Sequence, residues 1–478
     1  MLFTSFTFVL FFILVFLLYW FIFNRTYKLQ NAFILAASCV FYAWWDWRFL
    51  LLLIATSALS YFLGLGMDKS KTEKQRRLLL SIGLLQGLGC LAFFKYFNFL
   101  VSSFNSLFSV FNIRPDLPTL NIMFPLGISF YTFRTLSYLL DIKSGKIRAA
   151  SDWVAFFSYV SFFPCLISGP IDRPKTLIPQ LEKQRVFDYG MAADGMRQIL
   201  WGLFKKIVIA DNCASFTNEI VNHYTTLPAS ALLFGAFLFT IQVYADFSGY
   251  SDMAIGLSSL LGFRVTRNFN TPFFAQNIAE FWRRWHISLT SWLTDYVFTP
   301  LAIYFRNYGK LGLIFAITIN FTLIGLWHGA NWTFILFGFL NGCYFIPLIL
   351  QGGVNKQKKN TGSLKVFIST LGTFALVMFT FILFRADSLQ QALGYYRRLF
   401  SVSLFSGFAI TEKVNTITTI AAIALMFWVE WQQRDKQHAL QINLTGRPVL
   451  RALIYLGLIF FILSFSATKN RDFIYFNF

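Results

Sequence analysis

The chain has few of the charged side chains that keep a soluble domain in water. Only 13% of its 478 residues are charged, whereas 56% are hydrophobic and 61 are phenylalanines. Because a soluble domain could not hide so much apolar surface, the composition indicates an integral membrane protein. The apolar runs are too long and too unpatterned for barrel strands, so they predict helices, which satisfy their own backbone hydrogen bonds in lipid.

Motifs of several other protein classes are absent. The sequence has no Gly-Lys-Thr phosphate loop, dinucleotide fingerprint or GxSxG elbow, so it does not support ATP-driven transport, hydride transfer or serine hydrolysis. The five cysteines are scattered without a CxxC pair, and no cluster of potential ligands has metal-site spacing. We therefore expect no metal site and no disulfide framework. The net charge of +20 is spread over many loops, which favours anionic lipid over nucleic acid as its partner.

No internal repeat, low-complexity tract or soluble stretch interrupts the chain, so we expect a single integral membrane domain over residues 1–478. The first apolar run lacks a basic start and a small-residue cleavage site, and we expect it to remain as the first span. Basic residues are frequent in the 68–77 loop and around Lys356 and Lys436, but rare in 102–120. Since cytoplasmic loops collect Lys and Arg, this pattern predicts a cytoplasmic 68–77 loop and N- and C-termini outside.

Histidine is rare, and two of the four histidines lie in tryptophan-rich segments. His286 ends the segment FWRRWH, and His328 lies in the segment GLWHGANW. Ionisable side chains at membrane depth are costly and tend to line functional cavities, so we interpret both as marking a reaction site within the membrane. A neutral imidazole at His328 could take a hydroxyl proton near pH 7. Spacing alone leaves open that His328 is hydrogen-bonded only for helix packing.

The two histidines are expected to approach the membrane from opposite sides. The stretch 276–296 is too charged to span and predicts an amphipathic helix at the cytoplasmic interface, which would carry His286. His328 lies between the apolar runs 311–327 and 332–350, at a junction that the loop charges place outside. This arrangement predicts a tunnel that receives a donor from one side and an acceptor from the other.

Residues beside the histidines are further candidates for substrate contact. Arg283 and Arg284 either extend to the membrane interface or bind the phosphates of a cytoplasmic donor such as coenzyme A. Trp327 precedes His328, and Asn331 could supply a polar donor. We expect Gly329 to let an acyl chain approach closely.

The segment YADFSGYSDM has two carboxylates and two serines at the end of an apolar run. Ser251 and Asp252 could simply cap a helix that begins after them. Asp246 is harder to explain in that way, because it follows Gln242 and lies on the same helical face. It could orient a histidine or hold a lysine or arginine within the cavity.

Arg134 and Asp141 lie in another apolar run. Their spacing lets them share one helical face, either as a structural ion pair or as contacts to a substrate. The Ser168-Gly169-Pro170 segment that follows predicts a break in the helices.

Several long segments, in a consistent order, resemble the membrane-bound O-acyltransferase family, and within it the branch that acetylates bacterial alginate. They lie at 124–133, 168–171, 201–207, 244–256, 268–272, 280–289, 325–332 and 384–386. The resemblance implies an all-α membrane protein in the bacterial inner membrane, with a ring of tilted transmembrane and re-entrant helices around a central tunnel. It also implies that His328 is the catalytic residue and that His286 is the second signature residue.

The resemblance further implies transfer of an acetyl group from cytoplasmic acetyl-CoA to a hydroxyl of an exported polysaccharide or of a periplasmic partner protein. Acetyl-CoA would serve as a substrate, and no bound cofactor is expected. Two alternatives stay open. One is D-alanyl transfer from a carrier protein to teichoic acid, and the other is a non-catalytic transporter for a polar solute.

Overall fold

The computed structural model describes residues 1–113, 117–353, 363–408, 413–442, 446–466 and 473, and the regular elements within these ranges are helices. Lys356, used above to orient the chain, lies outside them. The prediction of an all-α membrane protein is confirmed. In the described ranges, eight segments are long and apolar enough to cross a membrane: Trp47–Lys69, Glu73–Ser109, Ala229–Leu260, Arg306–His328, Trp332–Leu350, Ser363–Arg385, Lys413–Gln432 and Pro448–Ser466.

The chain divides into two compact units, of which the first comprises residues 1–193 and 257–266. Its helices are α1 (Phe6–Phe21), α2 (Tyr27–Ala43), α3 (Trp47–Lys69), α4 (Glu73–Leu91), α5 (Phe97–Ser109), α6 (Ile128–Lys143), α7 (Trp153–Ser161), α8 (Phe163–Leu166) and α9 (Pro174–Leu181). Each of the first four begins after an N-cap residue whose side-chain oxygen accepts a hydrogen bond from a backbone N–H of the first turn; these residues are Ser5, Thr26, Asp46 and Thr72. These caps explain why the long apolar stretch near the N-terminus is divided into separate helices.

The second unit comprises residues 194–256 and 267–478. It contains most of α10 (Tyr189–Leu203) and α12 (Ala229–Leu260), with α11 (Asp211–Asn222), α13 (Ile278–Arg284), α14 (Ile287–Leu293), α15 (Thr299–Tyr304), α16 (Gly309–His328), α17 (Trp332–Cys343), α18 (Ile346–Leu350), α19 (Ser363–Arg385), α20 (Leu389–Leu399), α21 (Lys413–Gln432) and α22 (Pro448–Ser466). A π-helical turn, Phe204–Ala210, continues α10. All residues of the candidate site belong to this unit.

Arg134 supports a chain break in the first unit. It is fully buried in α6, and its guanidinium donates to carbonyl oxygens at the end of α7 and in the irregular segment after it: Tyr159 at 3.2 Å, Val160 at 3.1 Å, Cys165 at 3.0 Å and Pro170 at 3.4 Å. Backbone carbonyls outside a helix need such donors where lipid replaces water. The predicted break is therefore present, with Arg134 satisfying its backbone groups. Asp141 instead has its carboxylate 3.7 Å from the ammonium group of Lys146.

The hairpin of α16 and α17 places His328 at its turn, and glycines allow the two helices to pack backbone against backbone. We expect Gly338→Ala to destabilise this hairpin. A Cβ at Gly338 would lie 2.3 Å from the carbonyl oxygen of Phe321. Because a backbone atom cannot rotate away, the helices would have to separate, and such overpacking costs about 1–3 kcal/mol. Thermal unfolding of the purified protein in detergent would show the loss as a lower midpoint.

Gly372→Ala is the matched control for this prediction. Gly372 lies within α19, and a Cβ there would meet no atom within 4 Å. Alanine favours a helix over glycine by about 1 kcal/mol, so the midpoint should stay unchanged or rise. Equal effects of the two substitutions would contradict the packing role of Gly338.

Candidate active site

The structure brings the two sequence-predicted histidines together. The ring centroids of His286 and His328 are 6.2 Å apart, with an angle of 49° between the rings. Their exposed fractions are 0% and 3%. The fold thus brings together two residues that 41 others separate in the sequence. A small reacting group lying between the rings could contact both. Buried imidazoles at this separation suit the handling of a proton during group transfer.

His286 lies at a break between two short helices rather than within one. The amphipathic helix predicted over 276–296 is wrong in this respect, because α13 ends at Arg284 and α14 begins at Ile287. The physical reason is the backbone of His286, which has φ 43° and ψ 52°, in the left-handed region. A non-glycine residue in that region is strained and persists only where the surrounding structure holds it.

Aromatic rings surround the imidazole of His286. The ring centroid of Phe247 lies 4.6 Å away in an edge-on contact, that of Trp327 lies at 5.6 Å and that of Phe269 at 6.5 Å. Among the residues that the structure describes, neither ring nitrogen of His286 has a hydrogen-bond partner. His286 lies outside the candidate spans. Burial is the main cause that lowers the pKa of its imidazole well below the usual range, and the nearby His328 is the second cause. The imidazole is therefore neutral at pH 7 and able to donate one hydrogen bond and accept another.

His328 is the last residue of α16, and its ring lies 5.2 Å from that of Phe384 and 6.2 Å from that of Phe337. Phe384 was not singled out from the residue patterns. Its only signal in the sequence was its place in the family-like segment 384–386. Together these rings keep the imidazole away from solvent, which strengthens electrostatic interactions at the site.

The side-chain position at Gly329 is occupied by a neighbouring ring. A Cβ at Gly329 would lie 2.2 Å from the ring of Phe334, so the missing side chain makes room for this phenylalanine. Asn331 caps α17, because its side-chain oxygen accepts from the N–H of Thr333 at 3.0 Å. Its amide nitrogen donates to the carbonyl oxygen of Asp387 at 2.9 Å. Both ends of the Asn331 side chain are thus used in holding the turn that follows His328.

The two arginines before His286 differ in their surroundings. Arg283 is exposed. Arg284 pairs with Glu280 one helical turn earlier, at 2.7 Å, and its guanidinium lies 3.5 Å from the hydroxyl of Thr271. Trp327, by contrast, is buried. Its ring centroid lies 5.6 Å from that of His286 and 5.1 Å from that of His328. Of these three candidates, Trp327 is the one that the structure places beside both histidines.

Asp246 lies in the interior of α12 and holds a lysine, which was one of the two roles considered for it. Its carboxylate is 2.8 Å from the ammonium group of Lys206, and that of Asp211 is 2.9 Å from the same group. Lys206 is 3% exposed and Asp246 is 2% exposed. We call Lys206, Asp211 and Asp246 the buried ion cluster. It joins the π-helical turn after α10 to α12, the helix that carries Phe247.

Ser251 and Asp252 do not cap a helix, because α12 continues through them to Leu260. The hydroxyl of Ser251 accepts a hydrogen bond from the amide of Asn268 at 3.1 Å. The carboxylate of Asp252 lies 2.7 Å from the ammonium group of Lys205. Both side chains therefore tie α12 to neighbouring segments of the second unit.

A polar cavity of about 30 Å³ lies beside Lys205, with room for water but not for a cofactor. Its lining includes the buried carboxylate of Glu430, which accepts a hydrogen bond from the hydroxyl of Tyr244 at 2.8 Å. Residue patterns did not single out Lys205 or Glu430; Lys205 lies beside Lys206 in the family-like segment 201–207, and Glu430 lies near the end of an apolar run. Across the described ranges, no three His, Cys, Asp or Glu side chains are grouped so that they could hold a metal ion.

Comparison with known proteins gives matches that cover most of the chain. A sequence model described as MBOAT, membrane-bound O-acyltransferase family, matches residues 94–384. The chain is 39% identical over 435 residues to the probable alginate O-acetylase AlgI of Pseudomonas aeruginosa, covering 90% of this chain and 80% of that protein. It is 30% identical over 493 residues to a peptidoglycan O-acetyltransferase of Helicobacter pylori, covering 92% and 90%. A teichoic acid D-alanyltransferase of Bacillus subtilis is 28% identical over 285 residues, covering 57% and 71%.

Proposed function

Because this chain belongs to the membrane-bound O-acyltransferase family, we propose that it transfers an acetyl group from acetyl-CoA to a hydroxyl of an exported polysaccharide or of a periplasmic partner protein. The observation that carries the proposal is the pair of buried imidazoles 6.2 Å apart. Relatives named for acetylation of alginate and of peptidoglycan align with about nine-tenths of the chain, which supports acetyl as the group transferred.

His328 acts as the general base. It takes the proton of the acceptor hydroxyl as the hydroxyl oxygen attacks the thioester carbonyl carbon. The carbon–sulfur bond then breaks, an ester forms, and the proton passes to the departing thiolate to give free coenzyme A. A positioned base of this kind accelerates a reaction by about 10²–10⁴-fold.

His286 assists from the other side of the reacting group. Its neutral imidazole has a free N–H available for hydrogen bonding, and the thioester carbonyl oxygen becomes negatively charged as the hydroxyl attacks. A donor aimed at that oxygen in a water-poor site stabilises the transition state. Trp327, whose ring lies beside both imidazoles, shapes the space in which the acyl group is held.

The distribution of basic residues supports the proposed direction of transfer. The lysines and arginines of the 68–77 loop support a cytoplasmic position for it, with N- and C-termini outside and the protein in the bacterial inner membrane. Acetyl-CoA would enter from the cytoplasm, and the acceptor would approach the turn after His328 from outside. Residues 1–478 would act as one catalytic domain.

The D-alanyl alternative has weaker support, because relatives named for that reaction align with only 54–57% of the chain. A transporter would need no buried base. Neither alternative is favoured by an observation of its own, so acetyl transfer remains the function that the site supports best.

Release of free coenzyme A from acetyl-labelled acetyl-CoA tests the proposal. We expect the purified protein in lipid to release coenzyme A and to place the label, as an ester, on an added hydroxyl-rich polysaccharide or on a periplasmic partner protein. The same preparation should transfer nothing from a D-alanyl carrier protein. Transfer of D-alanine without use of acetyl-CoA, or flux of a polar solute without coenzyme A release, would contradict the proposal.

A further inference from the structure

The ring of His286 is held in place by its backbone and by packing. Neither of its ring nitrogens is hydrogen-bonded within the described ranges, so no hydrogen bond to the ring fixes the direction of the imidazole. The left-handed backbone of His286 and the rings packed around the imidazole set this direction instead. A strained backbone of this kind needs supports on both sides, because it would otherwise relax toward a continuous helix from α13 to α14.

The segment Asn268–Asn270 supplies these supports. The N–H of Ile287, directly after His286, donates to the carbonyl oxygen of Asn268 at 2.8 Å. On the other side, the N–H of Asn270 donates to the carbonyl oxygen of Arg284 at 2.9 Å. The two hydrogen bonds bracket Trp285 and His286, and they prevent the helix from closing over this point.

The side chain of Asn268 adds three further hydrogen bonds. Its oxygen accepts from the N–H of Ser288 at 3.2 Å and from the hydroxyl of the same serine at 2.9 Å. Its nitrogen donates to the hydroxyl of Ser251 in α12 at 3.1 Å. Asn268 is 0% exposed, so each bond is made away from water, where an unmade one is costly.

Asparagine is well suited to this position. Aspartate would keep the acceptor oxygen but lose the donor to Ser251, and leucine would lose both. Glutamine is longer by one methylene group, which a fully buried site has no room for. The bond to Ser251 also ties the turn to the helix that carries Phe247, whose ring touches the imidazole of His286.

We propose that Asn268 is a positioning residue for the acyl transfer: it fixes the left-handed turn at His286 and so aims the imidazole toward His328. This inference rests on the proposed function, since it requires His286 to take part in the reaction. Asn268 touches the turn and not the reacting atoms. Its removal should therefore lower kcat and change the surroundings of His286 while donor binding is preserved.

The four histidines of the chain allow a direct test by NMR of protein in which only histidine is isotopically labelled. Single substitutions of the histidines assign the four ring signals. In Asn268→Ala, we expect the His286 signal to move, while the signals of His223 and His438 stay in place. We also expect kcat to fall by about 10²-fold, as for other small displacements of a catalytic group. The KM for acetyl-CoA should stay within about threefold of the wild-type value.

Asn270→Ala is the local control. It keeps the backbone N–H that donates to Arg284, and its side-chain oxygen has no hydrogen-bond partner among the described residues. The His286 signal and kcat should both stay near their wild-type values. Should Asn268→Ala unfold the protein and disturb all four signals, Asn268→Asp decides, because it keeps the volume and the acceptor oxygen. A selective shift of the His286 signal and a smaller fall in kcat then support the proposal.

An unmoved His286 signal in a folded Asn268 variant, or a kcat within about twofold of wild type, overturns the role of Asn268. A disturbance of all four signals in both variants does the same, since it indicates a purely structural residue. Failure of the proposed function would show in a different measurement, the acetyl-transfer assay of the wild-type protein. Wild-type protein that transfers no acetyl group refutes the reaction whatever the spectra show, whereas the spectra still decide whether Asn268 sets the position of His286.

Discussion

Replacing His328 with alanine is expected to abolish acetyl transfer and leave the fold intact. Loss of the general base should lower kcat by about 10²–10⁴-fold, because no other side chain at that position takes the hydroxyl proton. The protein should still fold, since the imidazole lies among the rings of Phe337 and Phe384 and these can keep their contact with each other. The measurement is coenzyme A release together with the unfolding midpoint of the purified variant.

His223→Ala is the matched control. It removes a histidine of the same unit that is exposed and lies at the end of α11. Its activity should equal that of the wild type. Substantial acetyl transfer by folded His328→Ala protein would remove His328 from the mechanism. An unfolded His328→Ala protein would call for His328→Gln, which preserves more of the side-chain volume.

Lys206→Met is expected to cause the largest loss of stability. It removes the only positive charge of the buried ion cluster and leaves the carboxylates of Asp211 and Asp246 without their ammonium partner. Breaking a buried pair from one side costs about 3–5 kcal/mol. The unfolding free energy in detergent should fall by that order, and expression in the membrane should fall with it.

Arg77→Met gives the corresponding value for an exposed pair. Arg77 and Glu73 lie 3.3 Å apart, but their side chains are 74% and 52% exposed. Such a pair contributes at most about 1 kcal/mol. Adding Asp246→Asn to Lys206→Met should restore part of the lost stability, because one uncompensated charge is removed. Equal losses for Lys206→Met and Arg77→Met would show that the cluster is not stabilising.

The sequence was sufficient for those features that depend on composition and local pattern. Long apolar runs predicted the helices, and the rarity of histidine in a membrane protein pointed to His286 and His328. The assignment of catalysis to His328 needed the family resemblance, because one imidazole in an apolar run is compatible with simple packing. Both histidines lie in one unit of the structure, with their rings 6.2 Å apart.

Features that depend on distant contacts could not be predicted. The charged and aromatic residues of 276–296 fit a continuous amphipathic helix. Only the hydrogen bonds that Ile287 donates to Asn268 and that Asn270 donates to Arg284 explain why the helix breaks at His286. For Asp246 the sequence left open whether it orients a histidine or holds a lysine or arginine, and only the contact with Lys206 decides between them. The use of Asn331 as a helix cap was visible only once the start of α17 was known.

The position of His328 at the very end of α16 has a consequence for the direction of proton movement. The last carbonyl groups of a 20-residue helix leave a partial negative charge at its C-terminus. A cation held there is favoured by about 0.3–1 kcal/mol at an exposed site and by up to about 2 kcal/mol when partly buried. His286 stands at the opposite pole, before the first residue of α14. The two helix dipoles thus distinguish the two imidazoles before any substrate arrives, and in the proposed reaction this difference would favour transfer of the proton to His328.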